Sequence, residues 1–381
     1  LDLRLISDRY HAQKKIISSY LKGEEKIMKK SGEGRAGKWR IIVILGITMI
    51  GSISCAHNLE LRGKNGDEIH LQVNEKKQVT INKTKQWIYV AGASIDNPVL
   101  LWLDGGPGGS ELGPVRHYLG ELHRHFTIVC WDQRGTGKTR ASTRSIIAPN
   151  IETYVEDVIA LSRQVSKQYG GKKIFLVGHS WGSIIGAMAA HRNPELFAAY
   201  VGVGQQVNSA ENDRIGWDMV RRGAKEAGEE AVVRHLDKIG RPPYSKGGDY
   251  VYLFSRLYRY SPQAPREAAF DSTWFFNARQ HSLVDKIRVG IGLYEGVQRV
   301  YPQLADLDFE RDLRVFGCPL YIVAGRYDLT CVSSIAERWY EQIAAPIKGF
   351  TWFELSGHNA CYEEAGNFMD FMEKLAKLHK D

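Results

Sequence analysis

Apolar and polar residues alternate along Glu68-Ile-His-Leu-Gln-Val73, Gln78-Val-Thr-Ile81 and Gln86-Trp-Ile-Tyr-Val90. A period of two marks half-buried strands, so this pattern predicts an antiparallel strand group opening a sheet. From residue 98 the pattern changes to short apolar runs of strand length at 98–103, 126–131, 174–177, 198–203, 319–324 and 350–355. Strands buried on both faces read this way, and they belong to parallel sheets lying between helices. Helical stretches separate them: about 113–125, 151–169, 184–190, 333–343 and 365–379. The second carries apolar residues at 151, 155, 158, 159 and 165 and has Asn150 as its N-cap. The alternation predicts an α/β protein: a mostly parallel sheet with helices on both faces.

The rhythm breaks between about 205 and 313. Charged helical segments at 210–227, 229–239, 250–260 and 285–300 replace it, with dense aromatics (Tyr250, Tyr252, Phe254, Tyr258, Tyr260, Trp274, Phe275, Phe276). This segment reads as an inserted helical cap that shapes a partly apolar pocket, most of its aromatics forming its own core. The core is then 68–204 with 314–381, and 55–67 is a linker.

Composition alters this picture only at the N-terminus. The chain has 381 residues, 43% of them hydrophobic, enough for one large domain with an insertion. Its net charge of +8 is misplaced as a clue to a partner. Residues 1–54 hold 11 of the 51 basic and 5 of the 43 acidic residues, so +6 of the charge lies there. The remainder is nearly neutral and gives no argument for nucleic acid. Residues 1–27 do not read as a domain. Gly23-Glu24 can be encoded as GGAGAA, a ribosome-binding-like string ahead of Met28, so 1–27 are expected to be an upstream or non-native leader. Basic residues at 29, 30, 35, 38 and 40, an apolar run from Ile41 and small residues up to Ser54 read as a signal peptide over 28–54. The run is 14 residues to Ser54, short of the roughly 17 that a spanning helix needs. Cys55 follows at once and is similar to the lipid-attachment cysteine of bacterial lipoproteins, although Ser52 stands where leucine is usual. An uncleaved anchor and an ordinary secretory signal are the alternatives. The expected location is outside the inner membrane, membrane-anchored through Cys55. The five cysteines (55, 130, 318, 331, 361) have no paired C-x-x-C spacing, so no zinc or redox motif is drawn.

The chemistry is concentrated at Gly178-His-Ser-Trp-Gly182, between the run 174–177 and the helical stretch 184–190. Strand, G-x-S-x-G, helix is the context of a nucleophile elbow, in which Ser180 sits on a strained turn with its hydroxyl raised off the sheet. The helix that follows aims free N–H groups at any oxyanion formed there. Asp328 lies just past the run 319–324 and His358 just past 350–355, on the same sheet edge and in the chain order of a Ser–Asp–His triad. Asp104-Gly-Gly-Pro-Gly-Gly ends the run 98–103 and frees the backbone to approach a ligand. Asp132-Gln-Arg-Gly-Thr-Gly-Lys138 is no complete Walker A motif and reads as scaffold for the site's rim.

Together, Asp104-Gly-Gly-Pro-Gly-Gly, Trp131-Asp-Gln-Arg-Gly, Gly178-His-Ser-Trp-Gly-Ser, Gly325-Arg-Tyr-Asp and Gly357-His358 resemble the proline iminopeptidase (prolyl aminopeptidase) family of α/β-hydrolases, over about 68–206 and 314–379. The resemblance implies Ser180 as nucleophile, His358 as general base, Asp328 as its orienting acid, and the backbone N–H groups of Gly106 and Trp181 as oxyanion hole. It implies release of N-terminal residues from small peptides through an acyl-enzyme. An esterase or amidase acting on small acyl substrates is the second reading, and a non-enzymatic binding protein on the same scaffold the third. Two departures bear on specificity. The family usually has His where this chain has Asp104, and the acidic motif that grips a substrate's amino group has no clear match. Glu267, Asp271 and Glu295 are among the acids available in the cap. The Asp104 motif is also similar to that of serine carboxypeptidases, whose elbow differs, and Ser180 disfavours the members with an aspartate nucleophile. The chemistry calls for no metal or organic cofactor. Cys331 and Cys361 each lie three residues past a triad member and are expected in the pocket wall.

Overall fold

The computed structural model describes residues 61–142, 150–260 and 270–379. The leader, the signal segment, Cys55 and Glu267 lie outside them. Among the described residues no helix is long and apolar enough to cross a membrane.

Eight strands form one sheet: β1 (Val73–Ile81), β2 (Thr84–Gly92), β3 (Val99–Leu103), β4 (Thr127–Asp132), β5 (Ile174–His179), β6 (Phe197–Val203), β7 (Leu320–Gly325) and β8 (Lys348–Phe353). Their spatial order is β1-β2-β4-β3-β5-β6-β7-β8. β1 and β2 pair antiparallel, as do β2 and β4, and every pair from β4 to β8 is parallel. The longer helices are α1 (Leu112–Tyr118), α2 (Ile151–Gln168), α3 (Trp181–Arg192), α4 (Ser209–Glu226), α5 (Glu230–Ile239), α6 (Gly247–Phe254), α7 (Leu283–Arg299), α8 (Ser333–Gln342) and α9 (Ala365–Leu378).

The central strands show why their runs carry no alternation. Leu101 and Leu103 of β3 pack with α2, α3 and α8 on one face. Leu100 and Trp102 pack with α1 and α9 on the other. Successive side chains point to opposite faces, so a sheet covered twice needs apolar residues at both parities. The N-cap reading holds: the Asn150 side chain accepts from the Thr153 N–H at 2.9 Å.

Two expectations change. Residues 68–72 form no strand; Glu68 makes only an isolated bridge to Arg62. A single strand, β1, runs the whole way from Val73 to Ile81, turning at Asn82 and Lys83, both with positive φ, into β2. It is the sheet's edge and carries Glu75, Lys76 and Lys77, charges that suit an unpaired edge but erase the apolar signature of a strand. The helix expected over 113–125 is α1 plus a separate turn at Leu122–His125. Gly120 divides them where the chain passes Arg62; a Cβ there would stand 2.3 Å from the Arg62 carbonyl oxygen.

Between β6 and β7, helices α4 to α7 and short 3-10 turns replace strands among the described residues. Trp217, Leu236, Tyr244, Tyr250, Leu253 and Leu257 form an apolar centre within this segment. Other aromatics face the sheet-bearing part instead. Trp274 stacks on His117 with ring centroids 3.8 Å apart, and Phe270 stacks on Tyr362 at 5.3 Å. Polar links fix the segment too. Asn212 of α4 donates to the Thr330 carbonyl and accepts from the Val332 N–H. Glu295 of α7 accepts twice from Arg140.

Candidate active site

Ser180 stands between β5 and α3 at φ 54° and ψ −116°, a region L-residues rarely enter. Its flanking glycines explain how the turn closes. A Cβ at Gly178 would lie 2.4 Å from the Gly182 carbonyl oxygen, and one at Gly182 would lie 2.1 Å from that of Leu103. Both distances are forbidden, so the x positions of G-x-S-x-G vary but its glycines cannot.

His358 follows β8, and its Nε2 lies 2.9 Å from Ser180 Oγ. Its Nδ1 lies 2.9 Å from Asp328 Oδ2, at the end of β7. Asp328 is buried, and its second oxygen accepts from the backbone N–H groups of Thr330 and Cys331, both at 2.9 Å. With three donors around it the carboxylate is fixed in place. Nδ1–H donates to it, which leaves the Nε2 lone pair to accept from the Ser180 hydroxyl. The three residues drawn from sequence are thus joined across 178 and 30 positions of chain in one proton-transfer line.

The loop after β3 forms the facing wall. A Cβ on Gly105 would stand 3.5 Å from the Ser180 Cβ. The Gly105 N–H is committed to Glu111 Oε1 at 2.9 Å. Among the described residues, no protein oxygen accepts from the N–H of Gly106 or of Trp181. Trp181 opens α3, where N–H groups have no partner within the helix.

Beneath these loops lie buried groups that no sequence pattern brings together. Glu111 accepts four hydrogen bonds: from Gly105 N–H (2.9 Å), His179 Nδ1–H (2.6 Å), Trp102 Nε1–H (2.7 Å) and Tyr362 O–H (2.7 Å). Burial would push its carboxyl up, but the His179 charge and these bonds hold it below its ordinary value. Asp132 accepts from His281 Nε2–H at 3.0 Å, from Tyr89 O–H at 3.1 Å and from the Lys138 N–H at 2.7 Å. Asp104, only 1% exposed, differs from both. Its Oδ1 has no partner among the described residues, and burial together with the charges of Glu111 and Asp132 pushes its pKa well up.

The two cysteines separate. The Cys331 thiol lies at the triad, within 4.8 Å of Asp328 and His358 side-chain atoms, and burial and then the Asp328 charge push its pKa up. Cys361 turns the other way. It is 0% exposed and packed in the apolar layer that contains Trp102 and Tyr362. The short helical turn Ala360–Glu363 directs it inward. Asp328, Cys331 and His358 bring ligand-type atoms within 4.8 Å of one another, but Asp328 and His358 are spent on each other and the buried thiol is held protonated.

Of the cap acids, Glu295 is tied to Arg140, and Asp271 is exposed and caps the Ser272–Phe276 turn. Asp213 of α4 was not anticipated. It is buried, and burial pushes its pKa up to about 7.

Residues 98–365 match the family model described as the alpha/beta hydrolase fold. A relative named probable aminopeptidase YbaC, from Bacillus subtilis (strain 168), is 29% identical over 318 residues, 80% of this chain and 96% of the relative. A probable proline iminopeptidase from Streptomyces coelicolor is 28% identical over 172 residues, 44% of this chain and 49% of the relative. The crystal structure of proline iminopeptidase from Mycobacterium smegmatis superposes with a TM-score of 0.58 at 18% identity, over 80% of this chain and 98% of that one, which is a likeness of fold.

Proposed function

The chain belongs to the α/β-hydrolase family, and within it we propose a serine hydrolase that removes N-terminal residues, proline among them, from small peptides. One observation carries the reading: a serine at φ 54° with a histidine nitrogen 2.9 Å from its hydroxyl and a buried aspartate 2.9 Å behind that histidine. The names of the relatives, aminopeptidase and proline iminopeptidase, support the peptide substrate.

In this reading Ser180 Oγ attacks the substrate carbonyl while His358 Nε2 takes its proton, and Asp328 stabilises the resulting imidazolium. The tetrahedral oxyanion lies against the N–H groups of Gly106 and Trp181; one such donor lowers the barrier by about 3–4 kcal/mol. Collapse breaks the C–N bond as His358 returns the proton to the leaving amine. Water, deprotonated by the same histidine, then frees the acyl group.

A second reading, an esterase or amidase on small acyl compounds, is favoured by the commitment of Glu295 to Arg140, which removes one acid from the grip on a substrate's ammonium. Turnover of prolyl-arylamide against short acyl arylester, each normalised to fluorophosphonate titration, separates the two. A dominant arylamide rate supports the aminopeptidase. A dominant ester rate replaces it, and absence of labelling removes the serine-hydrolase reading altogether. Residues 28–54 are read in the same spirit, as an export signal with Cys55 lipidated. Cys55→Ser should then move the protein from the membrane to the soluble fraction; retention after a carbonate wash would point to an uncleaved helix.

A further inference from the structure

His179, the residue just before Ser180, has both ring nitrogens engaged and neither by a donor. Nδ1 lies 2.6 Å from Glu111 Oε1, and Nε2 lies 3.0 Å from the backbone carbonyl oxygen of His358. A carbonyl only accepts, and a carboxylate already holding Gly105, Trp102 and Tyr362 accepts as well. A neutral imidazole carries one N–H and would leave one of these contacts as two lone pairs facing each other. With Glu111 ionised, both are satisfied only when both nitrogens are protonated.

We propose that His179 is held as a permanent imidazolium and, with Glu111, acts as a positioning pair that fixes the nucleophile's elbow against the base's loop and the oxyanion-side loop. The connections are specific. Through Glu111 the pair holds Gly105, one residue before the proposed oxyanion donor Gly106, and Tyr362, four residues past His358. Through Nε2 it holds the main chain of His358 itself, and its own backbone continues into Ser180. Three loops from three strand ends thus meet on one ion pair beside the reacting groups. The His179 and His358 rings are 5.1 Å apart. Burial disfavours the cation, but the Glu111 charge, its hydrogen bond and the His358 carbonyl overcome this and raise the pKa of His179. Asp328 adds to the same side, and Tyr362 presents its ring edge at 5.9 Å.

The kinetic consequence rests on Ser180 being the nucleophile; the charge state does not. A shift of about 1 Å between reacting groups costs about 10²-fold in rate. His179→Gln and the double variant Glu111→Gln/His179→Gln should therefore lose about 10–100-fold in kcat with KM within about twofold. Both should still label fully, though more slowly, with a fluorophosphonate. The double variant replaces the charged pair by amides and covers the case in which the single one does not fold. Wild-type kcat in either folded variant overturns the positioning role, as does a loss confined to KM. Nitrogen-15 histidine spectra of the unaltered protein test the charge directly. At about pH 9, well above the ordinary histidine pKa of about 6.5, one histidine absent from the His179→Gln spectrum should keep two protonated nitrogens. A neutral pattern for that residue overturns the proposal. Failure of the wild-type protein to label would strike the nucleophile assignment and leave this measurement standing.

Discussion

The sheet edge that carries Ser180, Asp328 and His358 and the helical segment between β6 and β7 use buried polar groups for different ends. At the sheet edge, backbone geometry aims each group at another reacting group: Ser180 by its strained turn, Asp328 by two N–H donors, His358 by Asp328 and by the bond from His179 to its carbonyl. In the helical segment two acids, Glu295 and Asp285, are spent on holding structure together, while the buried Asp213 makes no such link among the described residues. Glu295 holds Arg140, and Asp285 closes a capping box with Ser282 and accepts from Arg288. The segment's remaining contribution is its wall of aromatic rings, with Tyr258 and Thr330 sharing a hydrogen bond at the Asp328 loop. Under the proposed function, bond-making chemistry belongs to the strand ends, and the segment selects what reaches them.

The sharpest test removes the nucleophile. Ser180→Ala should abolish fluorophosphonate labelling and lower kcat by roughly 10⁶, with an unchanged melting temperature, since the hydroxyl holds no core together. Appreciable residual turnover would mean that the sheet edge does not carry the reaction. Next in size is Asp328→Asn. The amide favours the wrong tautomer of His358, so kcat should fall by about 10⁴ while substrate binding persists. A loss under about tenfold would assign the orienting role to another carboxylate.

This contrast also decides what could be read without coordinates. The sheet edge was legible because each triad member carries a signature in its own stretch of chain, although the members lie 178 and 30 residues apart. An elbow needs glycines on either side of Ser180, and strand-end placement put Asp328 and His358 beside it. The Glu111–His179 pair was not legible, since its members are 68 residues apart and each looks like an incidental residue of its loop. The sheet was legible where two-sided burial demands unbroken apolar runs, and not at β1, whose exposed edge is written in Glu75, Lys76 and Lys77. In the helical segment, sequence offered Asp271 and Glu295 as equals. Only packing separates an acid that caps an exposed turn from one that neutralises a buried guanidinium.

That separation can be measured. Glu295→Gln removes the charge opposite Arg140, whose side chain is 5% exposed against 17% for Glu295. Breaking a buried pair costs about 3–5 kcal/mol, and the partial exposure of Glu295 places this one near the lower figure. Thermal unfolding should therefore begin several degrees earlier, while prolyl-arylamide and acyl-ester turnover change by the same factor. Selective loss of arylamide turnover with intact stability would make Glu295 an ammonium ligand and give the helical segment a direct part in recognition.

The smallest effect is expected at Asp104, where the sheet edge breaks its own habit of pairing every buried carboxyl. Burial and the neighbouring charges of Glu111 and Asp132 raise its pKa, so in the folded protein it holds a proton that the unfolded chain has released. The sign follows from linkage. A carboxyl raised in the folded state contributes fully below its unfolded pKa of about 3.9 and costs stability as pH rises from there towards its folded pKa. Asn resembles the protonated acid in shape and does not titrate. It can place its amide where Oδ1 has no partner among the described residues. Asp104→Asn should therefore match the parent at about pH 4 and become modestly more stable than it by about pH 8, read by denaturant unfolding at the two values. If the variant instead loses stability towards pH 8, Asp104 is ionised and paired in the folded protein. Asp104 would then stand as a third charged carboxylate beside Glu111 and Asp132, and the neutral centre between the Glu111–His179 and Asp132–His281 pairs would not exist.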